Sequence, residues 1–156
     1  MTVQSSESSH PLLSCTDGMA ASTTDIFLLV GRVLIGWLFL ASSWGKLTNI
    51  AGFEGYLTAL KAPAPGIMAW IGASVEFLIG VTLILGIGTR YAALLSAVFV
   101  ICATALAHRY WEYQPAQMAA QQTNFLKNLA ILGGTLLLFV TGPGRFSIDR
   151  ILSKTR

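Results

Sequence analysis

Four long apolar stretches dominate the chain, at residues 26–47, 66–87, 91–108 and 125–140. A bilayer core about 30 Å thick is crossed by roughly 20 apolar helical residues, so the pattern predicts four transmembrane helices, the last two of them short. Each stretch is bounded by a physical stop. Gly45-Lys46 closes the first, Pro63-Ala64-Pro65-Gly66 opens the second, Gly88-Thr89-Arg90 forms a tight turn before the third, and Gly142-Pro143-Gly144 ends the fourth.

Between the first two spans, Phe53, Tyr56, Leu57 and Leu60 recur at i, i+3, i+4 and i+7. That spacing predicts an amphipathic helix lying in the membrane interface; a lid over the bundle is the sharper alternative. Residues 1–25 are rich in Ser and Thr and hold no Lys or Arg. They lack the basic and apolar regions of a signal peptide and are expected to form a disordered tail. The predicted architecture is all-α: one membrane-embedded four-helix domain over 26–144, then a short C-terminal tail over 145–156.

Composition supports this reading. Of 156 residues, 54% are hydrophobic and only 11% are charged, whereas soluble domains are roughly 25% charged; the mean hydropathy is +0.65. The formal charge of +3 is spread over loops and tail, which suits a lipid surface and gives no sign of nucleic acid. Four spans put both termini on one side, with Arg90, Arg145, Arg150, Lys154 and Arg156 there, against Lys46, Lys61, Arg109 and Lys127 opposite. The count of five to four favours cytoplasmic termini.

Cys15 and Cys102 lie far apart, with no Cys-x-x-Cys, which argues against a dithiol enzyme using its own cysteines. No His-x-x-x-His, cysteine pair or carboxylate cluster accompanies His108, so no metal site is expected.

Two charges interrupt the apolar pattern. Arg32 lies in the first span and Glu76 near the centre of the second, and a charge in hydrocarbon requires a partner in the bundle interior. Counted from the span midpoints, their depths differ by about 6 Å at 1.5 Å per residue, so they are expected to form an intramembrane ion pair. Gly36 follows Arg32 at i+4, and Gly72 and Gly80 flank Glu76 at the same spacing, allowing close helix approach. The pair would either fix helix register or serve as a proton or substrate relay.

A second group gathers where the first and third spans end and the fourth begins: Lys46, His108, Trp111, Asn124, Lys127 and Asn128. Gln121, Asn124, Asn128 and Thr135 form a stripe at helical spacing, as do Thr104 and His108. These stripes are expected to line a polar pocket. Taken singly, Lys46 and Lys127 also read as snorkelling cations, Tyr110, Trp111 and Tyr113 as an aromatic belt, and Asn124 as a helix cap.

These residues carry a resemblance. Gly31-Arg32, Trp44-Gly45-Lys46-Leu47, the proline-containing loop with Val75-Glu76-Phe77, and Gly88-Thr89-Arg90-Tyr91-Ala92 come in order. They are followed by His108 to Trp111, Asn124 to Ala130, Gly133-Gly134, and Gly142-Pro143-Gly144-Arg145-Phe146-Ser147-Ile148-Asp149. In this series the chain resembles the DoxX family of bacterial and archaeal membrane proteins. The resemblance implies a four-helix protein of the bacterial inner membrane. It further implies association with quinone-linked sulfur oxidation, as in subunits of thiosulfate:quinone oxidoreductase, or with thiol and oxidative-stress defence complexes. Arg32, Lys46, Glu76, His108, Lys127 and Asn128 fall on the family's polar positions, whereas Arg109 and Tyr110 stand where relatives often have Asn and Phe.

The functional expectation is an accessory or anchoring subunit of a membrane oxidoreductase, with a quinone head group near His108, Lys127 and Asn128. The chain has no haem ligand pair, iron–sulfur cysteines or dinucleotide fingerprint, so electrons would come from a redox partner or a diffusible donor. Whether catalysis resides in this chain is left open. The alternatives are a small-solute or proton-coupled transporter working through Glu76 and a non-catalytic assembly partner of membrane proteins, including copies of itself.

Overall fold

The computed structural model describes residues 11–154, with side chains over 23–153. It is 85% helical, with no strand among the described residues. The helices are α1 (Pro11–Thr48), α2 (Ile50–Ala59), α3 (Pro65–Leu85), α4 (Thr89–Ala107), α5 (Pro115–Thr141) and α6 (Ile148–Lys154), with a 3₁₀ turn at Tyr110–Glu112 before α5. Among the described residues, four segments are long and apolar enough to cross a membrane: Thr23–Thr48, Pro65–Leu85, Thr89–Glu112 and Pro115–Thr141.

Three boundaries differ from the sequence expectation. The helix of the first span begins at Pro11, so 11–25 is helical rather than a disordered tail; residues 1–10 lie outside the described part. The fourth helix begins at Pro115, ten residues before the apolar run, because proline suits the first helical turn and Gln, Asn and Thr do not break a helix once it has started. Residues 145–154 are not a loose tail: they fold back against the bundle and form α6.

α1 and α3 are the most intimately packed pair, antiparallel, with Gly36 against Gly80 at the crossing. A Cβ on Gly80 would lie 2.8 Å from the Leu40 nitrogen and 2.9 Å from the Gly36 oxygen. Such backbone proximity is how helices associate in lipid, where dispersion contacts replace the hydrophobic drive. Phe39, Ile79, Leu83, Ala93, Val100 and Leu138 fill the centre. Only 11–33% of each span's most apolar window is buried, and Leu34, Trp37, Ile67, Ile71, Val98, Leu137 and Val140 point outward. This outward apolar surface fits a lipid environment.

The α3–α4 turn is made by Gly86 and Gly88, both with positive φ (69° and 56°). The Thr82 carbonyl accepts from the Gly86 and Ile87 nitrogens, closing α3. α2 is the predicted amphipathic helix. Asn49 caps it through Oδ1, which accepts from the Gly52 nitrogen. Its buried Leu57 packs with Phe53, Ala62, Met68, Ala69 and Leu106, so α2 covers the end of the bundle.

Candidate functional site

The site lies at the α2 end of the bundle. α1 delivers Lys46 in its last turn, and α3 delivers Glu76, which is 4% exposed. Lys46 Nζ donates to Glu76 Oε2 at 2.5 Å and stands over the Phe53 ring, 5.1 Å from its centroid. The buried carboxylate is thus balanced by a cation 28% exposed at its side chain.

The expected pairing of Arg32 with Glu76 does not occur. The Gly36–Gly80 crossing sets the register, and it places Arg32 level with Gly86, where a Cβ would collide with the guanidinium. From Gly86 to Glu76 is about 15 Å along a helix axis, beyond an arginine's reach. Matching span midpoints misjudged this offset. Arg32 is 1% exposed and instead donates from Nη1 to the Pro143 carbonyl (2.9 Å) and from Nη2 to the Phe146 carbonyl (2.6 Å). Its role at this end is to hold the segment after α5.

Around Lys46 opens a cavity of about 510 Å³, lined by Phe53, Tyr56, Met68, Phe99, Cys102 and His108 among others. Its wall is mainly apolar and aromatic, interrupted by few polar groups, as in small-molecule sites generally. Burial, with the neighbouring Tyr113, pushes the Tyr56 phenol above its ordinary pKa and keeps it a hydroxyl. Tyr113 Oη donates to the Ala107 carbonyl at 3.0 Å, fixing the strand of chain beside His108.

The two polar stripes do not line one pocket; they bond to each other across α4 and α5. His108 Nδ1 meets Gln121 Oε1 at 2.8 Å, and Asn128 Nδ2 donates to Thr104 Oγ1 at 2.8 Å. This contact fixes the orientation of the imidazole ring at the end of α4. Residues spaced i, i+4 on one helix and i, i+7 on its antiparallel neighbour form two rungs joining the helices.

The candidates therefore divide. Lys46 and His108 share the cavity under α2. Trp111 and Asn128 belong to a separate groove of about 310 Å³ on the other side of the α4–α5 seam, with Arg109, Phe125 and Leu132. Trp111, Tyr110 and Phe125 are in mutual edge-to-face contact. Lys127 is exposed and Asn124 half-buried, and neither lines the cavity or the groove. No group of three or more His, Cys, Asp or Glu lies together among the described residues.

Sequence reasoning gave Asp149 no role. Its Oδ1 accepts from the Gly88 nitrogen (2.7 Å) and its Oδ2 from the Thr89 nitrogen (2.9 Å), while its own nitrogen donates to the Gly86 carbonyl (2.9 Å). It caps the α4 N-terminus from the far end of the chain. Burial alone would raise its pKa, but the Thr89 and Gly88 N–H groups and the Arg32 charge outweigh that and hold the carboxyl below its ordinary value. A cap supplied from sixty residues away leaves no local pattern to read.

Comparison with known proteins fits this architecture. The DoxX family model matches residues 27–109. The chain is 38% identical over 130 residues to the inner membrane protein YqjF of Escherichia coli K12, covering 83% of this chain and 95% of YqjF. It is 31% identical over 125 residues to the inner membrane protein YphA of the same organism, covering 80% and 89%. A more distant similarity, 23% over 122 residues, links it to the ER-derived vesicles protein ERV29 of Saccharomyces cerevisiae, covering 78% of this chain and 32% of that protein. No solved structure matches. With four membrane-spanning helices and the family pattern over more than half its length, the chain is an integral membrane protein of the DoxX family.

Proposed function

We propose that the cavity under α2 binds a quinone head group or a ring of like chemistry, and that the chain is an accessory, quinone-interacting subunit of a membrane oxidoreductase. Sulfur or thiol redox and oxidative-stress defence are the settings in view. The observation that carries this reading is the cavity itself: aromatic and apolar walls from Phe53, Phe99, Met68 and Leu106, with Lys46 and His108 among its few polar groups.

A quinone is a flat apolar ring with two carbonyl oxygens that carries electrons and protons together. The ring suits the aromatic wall. Lys46, held by Glu76 through one donor, keeps two N–H groups for an acceptor, and a cation in a low-dielectric site favours an oxygen on which negative charge develops. His108, oriented by Gln121, adds an imidazole that can hydrogen-bond a ring oxygen. Lys127 and Asn128, earlier candidates for the same ring, lie outside the cavity. The inner membranes named for YqjF and YphA suggest the same location here, with cytoplasmic termini by the charge count.

The competing reading, transport through a titrating Glu76, is weakened by the counterion that Lys46 supplies. The test is purification from native membranes in mild detergent, followed by solvent extraction and mass spectrometry of quinones and copurifying proteins. Co-extracted quinone that is lost in Lys46→Ala and His108→Ala but kept in Lys127→Ala supports the proposal. A quinone-free protein without a redox partner overturns it.

A further inference from the structure

The chain beyond α5 presents a surface that the cavity does not use. α6 is rigidly seated: Asp149 bonds to Gly86, Gly88 and Thr89, and Arg32 holds the preceding loop by two carbonyls. Yet Phe146, Ile151 and Leu152 are 50%, 64% and 58% exposed, although they lie past Thr141, where the last span ends.

Exposed apolar side chains within the spans face hydrocarbon, but these three stand at the bundle's end. Cations flank them. The Arg145 side chain is 70% exposed and lies over the Phe146 ring at 5.7 Å; Arg150 is exposed, and Lys154 and Arg156 follow in the sequence. Of the nearby acids among the described residues, Asp149 is engaged with the α4 N-terminus, and Asp25 accepts from the Arg145 nitrogen at 2.8 Å and pairs with its exposed guanidinium at 3.9 Å. The surface is therefore apolar with an excess of positive charge, held at the level where helices leave the membrane.

We infer that α6 and the three residues before it form an interfacial foot that binds anionic phospholipid headgroups, with Phe146, Ile151 and Leu152 entering the acyl boundary and Arg145 and Arg150 meeting the phosphates. A short segment with one apolar face and flanking arginines is what an anionic interface retains. Because Asp149 and Arg32 tie this foot to the α3–α4 turn and to α1, headgroup binding also secures that end of the bundle. A second copy of the chain would bury the same apolar side chains but would bring like charges together.

The test is hydrogen exchange on the full chain in nanodiscs, one copy per disc, of phosphatidylcholine alone or with phosphatidylglycerol. Amides of 147–153 are expected to exchange more slowly in anionic discs. The difference should fall roughly fivefold for each of Arg145→Gln and Arg150→Gln and shrink at high salt. Unchanged exchange at Gly88 and Thr89 would show that the foot is still docked in the variants. Ile151→Ser with Leu152→Ser should speed exchange in both disc types. Equal exchange in neutral and anionic discs would overturn the proposal, as would protection that appears only with two copies per disc.

Discussion

Lys46 and Glu76 are joined at 2.5 Å across α1 and α3, at the edge of the cavity, while Arg32 lies at the other end of the same helix pair. Removing the cation leaves a carboxylate 4% exposed and unpaired, so Lys46→Ala should cost about 3–5 kcal/mol. Replacing both, as Lys46→Met with Glu76→Gln, should cost less than either single change suggests. A double-mutant cycle by thermal unfolding in detergent checks this. Coupling between 46 and 76 is expected at about 0.5–3 kcal/mol, and Arg32 with Glu76 should be additive within about 0.5 kcal/mol.

The α1–α3 crossing tolerates no side chain at its centre. Gly80→Ala places a methyl group 2.8–3.0 Å from backbone atoms of Leu40 and Gly36, and backbone cannot rotate away as a side chain can. A loss of about 1–3 kcal/mol is expected. Gly133, with nothing within 4 Å of its Cβ position, should accept alanine within about 0.5 kcal/mol. The contrast in melting temperature is the measurement.

Hydropathy alone made the four spans legible, because a bilayer demands long apolar helices and punishes anything else. The amphipathic spacing of Phe53, Leu57 and Leu60 likewise revealed α2. Which polar residues meet was not legible. Arg32 and Glu76 were singled out as costly and Lys46 as a pocket residue or snorkelling cation, but partnership depends on helix register, and register here is set by Gly36 meeting Gly80. Gln121, Asn128, Thr104 and His108 were seen as stripes, yet a stripe facing a cavity and a stripe facing another stripe have the same periodicity. The start of the fourth helix at Pro115, ahead of the stripe that begins at Gln121, was missed because the polar residues there carry no hydropathy signal.

Asp149 makes acid stability a test of the α6 contact. Its native pKa lies below the ordinary value, so its contribution is complete above the unfolded value, near pH 4, and is lost as pH falls through the native one. Asp149→Ala should cost about 1 kcal/mol at neutral pH, the usual worth of a helix cap. Asp149→Asn should remove the acid-dependent part. Exchange at the Gly88 and Thr89 amides, followed from pH 6 to 3, reports both; an unchanged acid response in Asp149→Asn would assign it to other carboxyls.

Arg32 offers the sharpest test of how the termini-side end is held. Two guanidinium nitrogens bind two carbonyls three residues apart, Pro143 and Phe146, a fork that one ammonium does not reproduce. Arg32→Lys keeps the charge and much of the volume, so a purely electrostatic role would survive it. The geometry instead predicts that Arg32→Lys frees the Pro143–Ser147 loop, raising its protease sensitivity and its amide exchange several-fold. Ligand retention in the cavity should stay at the wild-type level, since Lys46 and Glu76 lie at the opposite end of the bundle. Limited proteolysis beside quinone extraction on the same preparation separates the two ends. Loss of cavity binding in Arg32→Lys would mean that they are coupled through the α1–α3 crossing.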